Sequence, residues 1–323
     1  MRTRKRLAFA LLCLALAAVA ARAQGRFDSV RVVSSHTLHI GGAALQVDFG
    51  PGTFNLGEDA ILNHVRMAAT AVATYYGRFP VARARVLIVP AQDRHGVMHG
   101  TTWGDVEWGG MSHWPAFTRI SIGTESTQAD LNGDWMMTHE LVHMAFPSVP
   151  DKSHWIEEGI ATYVEPIARV QAGGLTAAKI WHDMLRDMPQ GEPQPGDEGL
   201  DRTHTWGRTY WGGALFCLVA DVTIRRETHN KKGLQDALRA IVDSGGNIAD
   251  NWDLEKALKI GDHATGTHVL TRMYAEWKHK PVNVDLDKLW QELGVSMDGE
   301  TVRFDNTAPL ASVRRAITEP EVN

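Results

Sequence analysis

Short runs of alternating apolar and polar positions open the chain. Between residues 26 and 50, segments such as Leu45-Gln46-Val47 are broken by Gly41-Gly42 and Gly50-Pro51, which predicts early strands joined by turns. The period changes at Glu58. Ile61, Val65, Ala68 and Val72 share one face of a helix that runs to Tyr76 and stops at Gly77, ahead of Pro80. Residues 85–89 (Arg-Val-Leu-Ile-Val) read as a buried strand. Residues 91–116, rich in Gly, His and Trp, read as a long loop or hairpin, and 119–123 as another strand. From residue 130 the spacing becomes helical, over 134–146 with Asp134 as N-cap, then 155–170 and 175–188. A Pro/Gly/acidic loop over 189–199 leads to further helices near 209–226, 233–244, 252–260, 267–278 and 285–293. Strands first and helices after predict an α+β protein with its site at the junction. The expected division is a leader (1–23), a strand-rich lobe (24–128), a helical core (129–188), a helical C-terminal lobe (189–295) and a tail (296–323).

The leader changes the charge. Arg2, Arg4, Lys5 and Arg6 precede fifteen apolar residues, Leu7 through Ala21, and Ala21-Arg22-Ala23 fits an export cleavage site that leaves Gln24 first. Fifteen apolar residues fall short of the ~18 that a spanning helix needs, so cleavage and release is expected, to the periplasm or the medium, with no stable membrane insertion afterwards. Five basic residues and no acidic ones leave with it, taking the formal charge from −5 to −10. An acidic chain lacks the basic footprint of a nucleic-acid binder. Cys217 is then the one cysteine left, so no intramolecular disulfide braces the fold.

The chemistry concentrates in Thr138-His139-Glu140-Leu141-Val142-His143. Residues four apart on a helix share a face, so both imidazoles can reach one ion, while Glu140 stands beside that face where a carboxylate can take a proton from water. A catalytic zinc site needs a third protein ligand. Residues 155–165, Trp-Ile-Glu-Glu-Gly-Ile-Ala-Thr-Tyr-Val-Glu, form a second helix after a turn containing Pro147 and Pro150. His154 is a competing ligand. A histidine at the metzincin spacing would stand where Val149 does, which excludes that reading.

His-Glu-Leu-Val-His followed by Trp-Ile-Glu-Glu-Gly-Ile-Ala resembles the gluzincin peptidases, the clan of thermolysin and the aminopeptidase N-like enzymes. The resemblance implies a zincin-like fold in which a mixed-sheet lobe precedes the two metal helices. It also implies Zn²⁺ held by His139, His143 and Glu158, with Glu158 rather than Glu157 as ligand because it precedes Gly159. Glu165, seven residues further on the same helical face, is then expected to orient a ligand histidine. Tyr210-Trp211-Gly212-Gly213-Ala214 resembles the Tyr-x-x-Gly-Ala segment whose tyrosine stabilises the oxyanion in those enzymes. Gly109-Gly110-Met111-Ser112 resembles their substrate-pairing strand, with Ser112 where they carry an amine-binding glutamate. That departure implies that a free substrate N-terminus is not required.

These residues predict a zinc metallopeptidase acting on a peptide or protein, with Glu140 as general base and Tyr210 as oxyanion stabiliser. A zinc-bearing envelope protein without catalysis and a hydrolase of non-peptide substrates remain as alternatives.

Overall fold

The computed structural model describes residues 30–106 and 113–319. The leader, Gln24 and Gly109-Gly110-Met111-Ser112 lie outside the described residues.

Two strands open the fold, β1 (Ser34–Ile40) and β2 (Ala43–Phe49), joined by the tight turn at Gly41-Gly42. Both glycines take positive φ, which the turn requires. Helix α1 (Gly57–Tyr76) follows, then β3 (Arg83–Ala91), β4 (Val97–Val106) and β5 (Trp114–Gly123). The sheet order is β1-β2-β3-β5-β4, parallel at β2/β3 and β3/β5 and antiparallel at both margins. Within the stretch read as loop or hairpin, β4 pairs antiparallel with β5 and is the edge strand of the sheet among the described residues.

Register sets the core. Leu45, Val47 and Phe49 stand beside Ala84, Val86 and Ile88, and all six are buried. Ile61, Val65 and Val72 of α1 are fully buried in the same core, so the predicted apolar stripe is the one that packs. On the other face Arg85 Nε donates to Asp48 Oδ2 at 2.6 Å beside the small Leu87–Phe117 cluster.

The helical half begins with the short α2 (Gln128–Gly133), then α3 (Met136–Val142), α4 (Trp155–Gln171) and α5 (Ala177–Asp187). Helix α3 is shorter than the 134–146 expected, and His143–Ala145 tightens into a 3₁₀ turn. Phe146 precedes Pro147 and is extended (φ −138°, ψ 142°), the conformation a following proline imposes. After a π-type turn over Arg208–Gly212 come α6 (Gly213–Glu227), α7 (Leu234–Asp243), α8 (Leu254–Thr265), α9 (Val269–Trp277) and α10 (Leu286–Leu293). Among the described residues no helix is long and apolar enough to cross a membrane.

The described part of the stretch expected as a tail, residues 296–319, is structured. Val295–Asp298 (β6) and Thr301–Phe304 (β7) pair as a hairpin, and α11 (Ala311–Thr318) returns to α4 and α6 with Val313 and Ile317 buried. Its apolar residues are few, so the sequence pattern there was too weak to signal the packing.

Candidate metal centre and active site

Helix α3 and the 3₁₀ turn that continues it present His139 and His143 to α4. Asp134 serves as its cap: the carboxylate accepts from Met136 N (2.9 Å) and Met137 N (3.1 Å) and also meets His64 Nε2 at 2.7 Å. A seven-residue helix has little stability of its own, so packing and this cap hold it. Met137, Leu141 and Val142 are fully buried and fix its rotation.

Glu158 lies in the first turn of α4, where the helix dipole favours a carboxylate. Its Oε2 stands 3.2 Å from His139 Nε2 and 3.5 Å from His143 Nε2. One donor atom from each of the three residues lies within 4.8 Å of the others. Two imidazole nitrogens and a carboxylate oxygen, largely buried and converging on one point, are the donor chemistry that zinc prefers. Glu157 turns away: its Oε1 accepts from Val149 N at 2.9 Å. His154 bridges the two carboxylates, with Nδ1 2.5 Å from Glu157 Oε2 and Nε2 3.2 Å from Glu158 Oε1, and stays half exposed outside the three-residue cluster.

Charge follows geometry. Burial lowers the pKa of His139. Burial also opposes charge on His143, but the hydrogen bond and charge of Glu158 outweigh it and raise that pKa. Burial disfavours ionised Glu158, yet hydrogen bonds from His139, His143 and His154 hold it well below the usual carboxylate range. The carboxylates of Glu157 and Glu158 push His154 up to about 10, so it is an imidazolium at neutral pH.

Glu140 is clamped by β4. Period two along that strand turns Gly100, Thr102 and Gly104 toward α3, in register with Ile120, Thr118 and Ala116 of β5. Thr102 Oγ1 donates to Glu140 Oε2 at 2.8 Å and lies 2.8 Å from Thr118 Oγ1, so a two-hydroxyl chain positions the carboxylate. At Gly100 a Cβ would come 2.5 Å from Glu140 Cγ, and at Gly104 1.7 Å from the Ile248 carbonyl oxygen. Only glycine admits those neighbours. Sequence reasoning missed Gly100 and Thr102; the signal available was Gly-Thr-Thr-Trp-Gly alternating small residues inside the stretch left as loop or hairpin.

Tyr210 sits in the π-type turn, a geometry often found at functional sites. The turn reaches the metal cluster because α6 and α4 cross at glycines: a Cβ on Gly213 would lie 2.2 Å from Trp155 O, and one on Gly159 2.3 Å from Gly213 C. The phenol ring stacks on His139 (centroids 6.2 Å, 21°). Burial, then the charges of Glu158 and Glu140, raise its pKa to about 12, which keeps it a proton donor at neutral pH. A cavity of about 550 Å³ joins Tyr210, Glu140, His139, His143 and Glu158 to His99–Gly104 of β4.

Glu165 is placed differently from expectation. It is buried, but its Oε1 accepts from Arg169 NH1 at 2.7 Å, while His139 Nδ1 is buried with no hydrogen-bond partner. Burial, partly offset by Arg169, raises the Glu165 pKa to about 7.

No family model and no curated protein matches the sequence. Solved structures do. An aminopeptidase N family protein from Idiomarina loihiensis superposes with a TM-score of 0.60 at 11% identity, over 81% of this chain and 49% of its own. The fold resembles about half of that aminopeptidase N family protein. An M1 zinc metallopeptidase from Deinococcus radiodurans matches with a TM-score of 0.46 at 15% identity, over 79% of this chain and 54% of its own. The chain thus spans about half the length of these solved structures.

Proposed function

We propose that the chain is a zinc-dependent peptidase of the gluzincin type. The observation that carries this reading is the convergence of His139, His143 and Glu158 in one cavity that also holds the clamped carboxylate of Glu140 and the protonated phenol of Tyr210. Zinc held by those three residues would supply a Lewis acid that polarises a carbonyl and acidifies a water. Glu140 takes the proton of the attacking water and later delivers it to the leaving amine. The Tyr210 hydroxyl donates to the oxyanion as charge develops there. Among the described residues strand β4 has one sheet neighbour, so its outer edge suits an extended peptide backbone, the role the sequence resemblance gave to Gly109–Ser112.

The test combines metal analysis with digestion of a broad peptide library by the wild type and Glu140→Gln. The amide keeps the shape and cannot accept a proton, so turnover should fall by two to four powers of ten while metal content holds, the usual order for loss of a general base. Activity within a few-fold of wild type would remove Glu140 from the mechanism. No cleavage of any peptide by the metal-loaded wild type would remove the peptidase reading.

A further inference from the structure

A second cavity, of about 530 Å³, opens on the other side of the His139–Tyr210 pair. It shares those two residues with the cavity of the metal cluster, so a chain lying across the metal has room on both sides. Its mouth is aromatic. Trp206 stacks on Tyr210 (centroids 5.7 Å, 27°), Tyr210 stacks on His139, and Trp135 meets His139 edge-on (5.3 Å, 87°). Trp211 lines the same space. Trp206 is 61% exposed and Trp135 49%, a large apolar area to leave in water at the lip of a site.

The opposite wall holds charges that cancel. Glu165, Asp183 and Asp187 face it together with Arg169, Lys179 and Arg186. Glu165 pairs with Arg169 at 2.7 Å, Asp183 with Lys179 and with Arg186 at 3.5 Å, and Asp187 with Arg186 at 2.5 Å. Each acid is paired with a base, and burial that lifts the Glu165 pKa to about 7 takes negative charge from this wall, so nothing there draws a cationic side chain. Ring faces in the mouth would accept a cation as well as an aromatic ring, but a cation would find no unpaired carboxylate behind them. Thr162 lines this wall too, and its Oγ1 is buried with no hydrogen-bond partner among the described residues. The wall thus has a use for the N–H or O–H that a tryptophan or tyrosine carries at its rim.

We propose that this cavity is a subsite for one large aromatic side chain of the substrate, seated between Trp135 and Trp206 on one side of the bond that is cleaved. The assignment rests on the peptidase reading for its role in turnover, but the binding itself can be measured without turnover. The probe is N-acetyl-tryptophanamide, titrated calorimetrically into the metal-loaded Glu140→Gln protein beside the alanine and arginine amides. The tryptophan amide should bind at least tenfold more tightly than either, and Trp135→Ala with Trp206→Ala should erase that margin. Both tryptophans are surface residues, so their replacement leaves the core intact, and Trp206→Phe should restore part of the preference. Equal binding of the three amides, tighter binding of the arginine amide, or a margin that survives the double substitution would overturn the subsite. In the peptide library the same preference should appear as enrichment of Trp, Tyr and Phe at one position beside the cut. Tight tryptophan-amide binding with no cleavage of any peptide would sink the peptidase reading and leave the aromatic subsite standing, whereas cleavage indifferent to aromatic residues would do the reverse.

Discussion

Two carboxylates adjacent in sequence have separate surroundings. Glu158 faces both motif histidines, whereas Glu157 accepts a backbone amide from Val149 and pairs with His154. Glu158→Ala should therefore lose zinc affinity by at least tenfold, and Glu157→Ala should keep stoichiometric metal while losing some stability, since the Val149 amide loses its acceptor. Metal analysis after dialysis decides between them, and the reverse pattern would reassign the ligand. Tyr210→Phe should lower kcat by about 10²-fold or more with little change in KM, because the hydroxyl is proposed to act only on developing charge. An equal loss through KM would make Tyr210 a substrate-binding group instead. Helical spacing put His139 and His143 on one face in the sequence, and the resemblance to the gluzincin peptidases pointed to Glu158. The raised pKa of Tyr210 was not legible, since it depends first on burial and then on carboxylates brought in from other helices.

Strand β4 and helix α4 act through small residues. At Gly100 an added methyl group would meet the side chain of Glu140 rather than backbone, so Gly100→Ala should move the base without unfolding the sheet. Misplacement by about 1 Å can cost about 10²-fold in rate, so kcat should fall by roughly that order with melting temperature and zinc content nearly unchanged. A variant with wild-type turnover would show that the carboxylate has room to spare. The Gly159–Gly213 crossing differs, because each added Cβ would strike backbone. Those glycines let α6 approach α4 closely enough for the turn before it to carry Tyr210 over the metal cluster. The sequence signalled this turn only through its resemblance to a family motif, whereas the local mark of β4 was a weak alternation of small residues that left loop and hairpin both open. Its residues are mostly half-buried or exposed, and its place in the sheet comes from pairing with β5.

Across the whole molecule, one group links stability to pH through the packing of α4 on its neighbours. Burial lifts Glu165 from the ordinary 4.5 to about 7, so the native state holds this proton more tightly than the unfolded chain does. The resulting stability is present below about pH 4.5 and is lost as pH rises through about 7, on the order of 3 kcal/mol in all. Glu165→Gln should flatten that part of the profile, read as urea midpoints at about pH 5 and about pH 7.5; parallel profiles for the two proteins would show that the carboxyl titrates normally. What the sequence determined by itself was local. A period of 3.6 placed α1, α4 and most later helices, and a spacing of four residues put two imidazoles on one face, because these relations survive in any context that keeps the helix. Tertiary structure decided the rest. It set Thr102 against Glu140, 38 residues away, freed Glu157 from the metal cluster, matched Glu165 with Arg169 and folded residues 295–318 back onto α4 and α6. Each of those contacts depends on how separate elements pack, and no repeat along the chain encodes that arrangement.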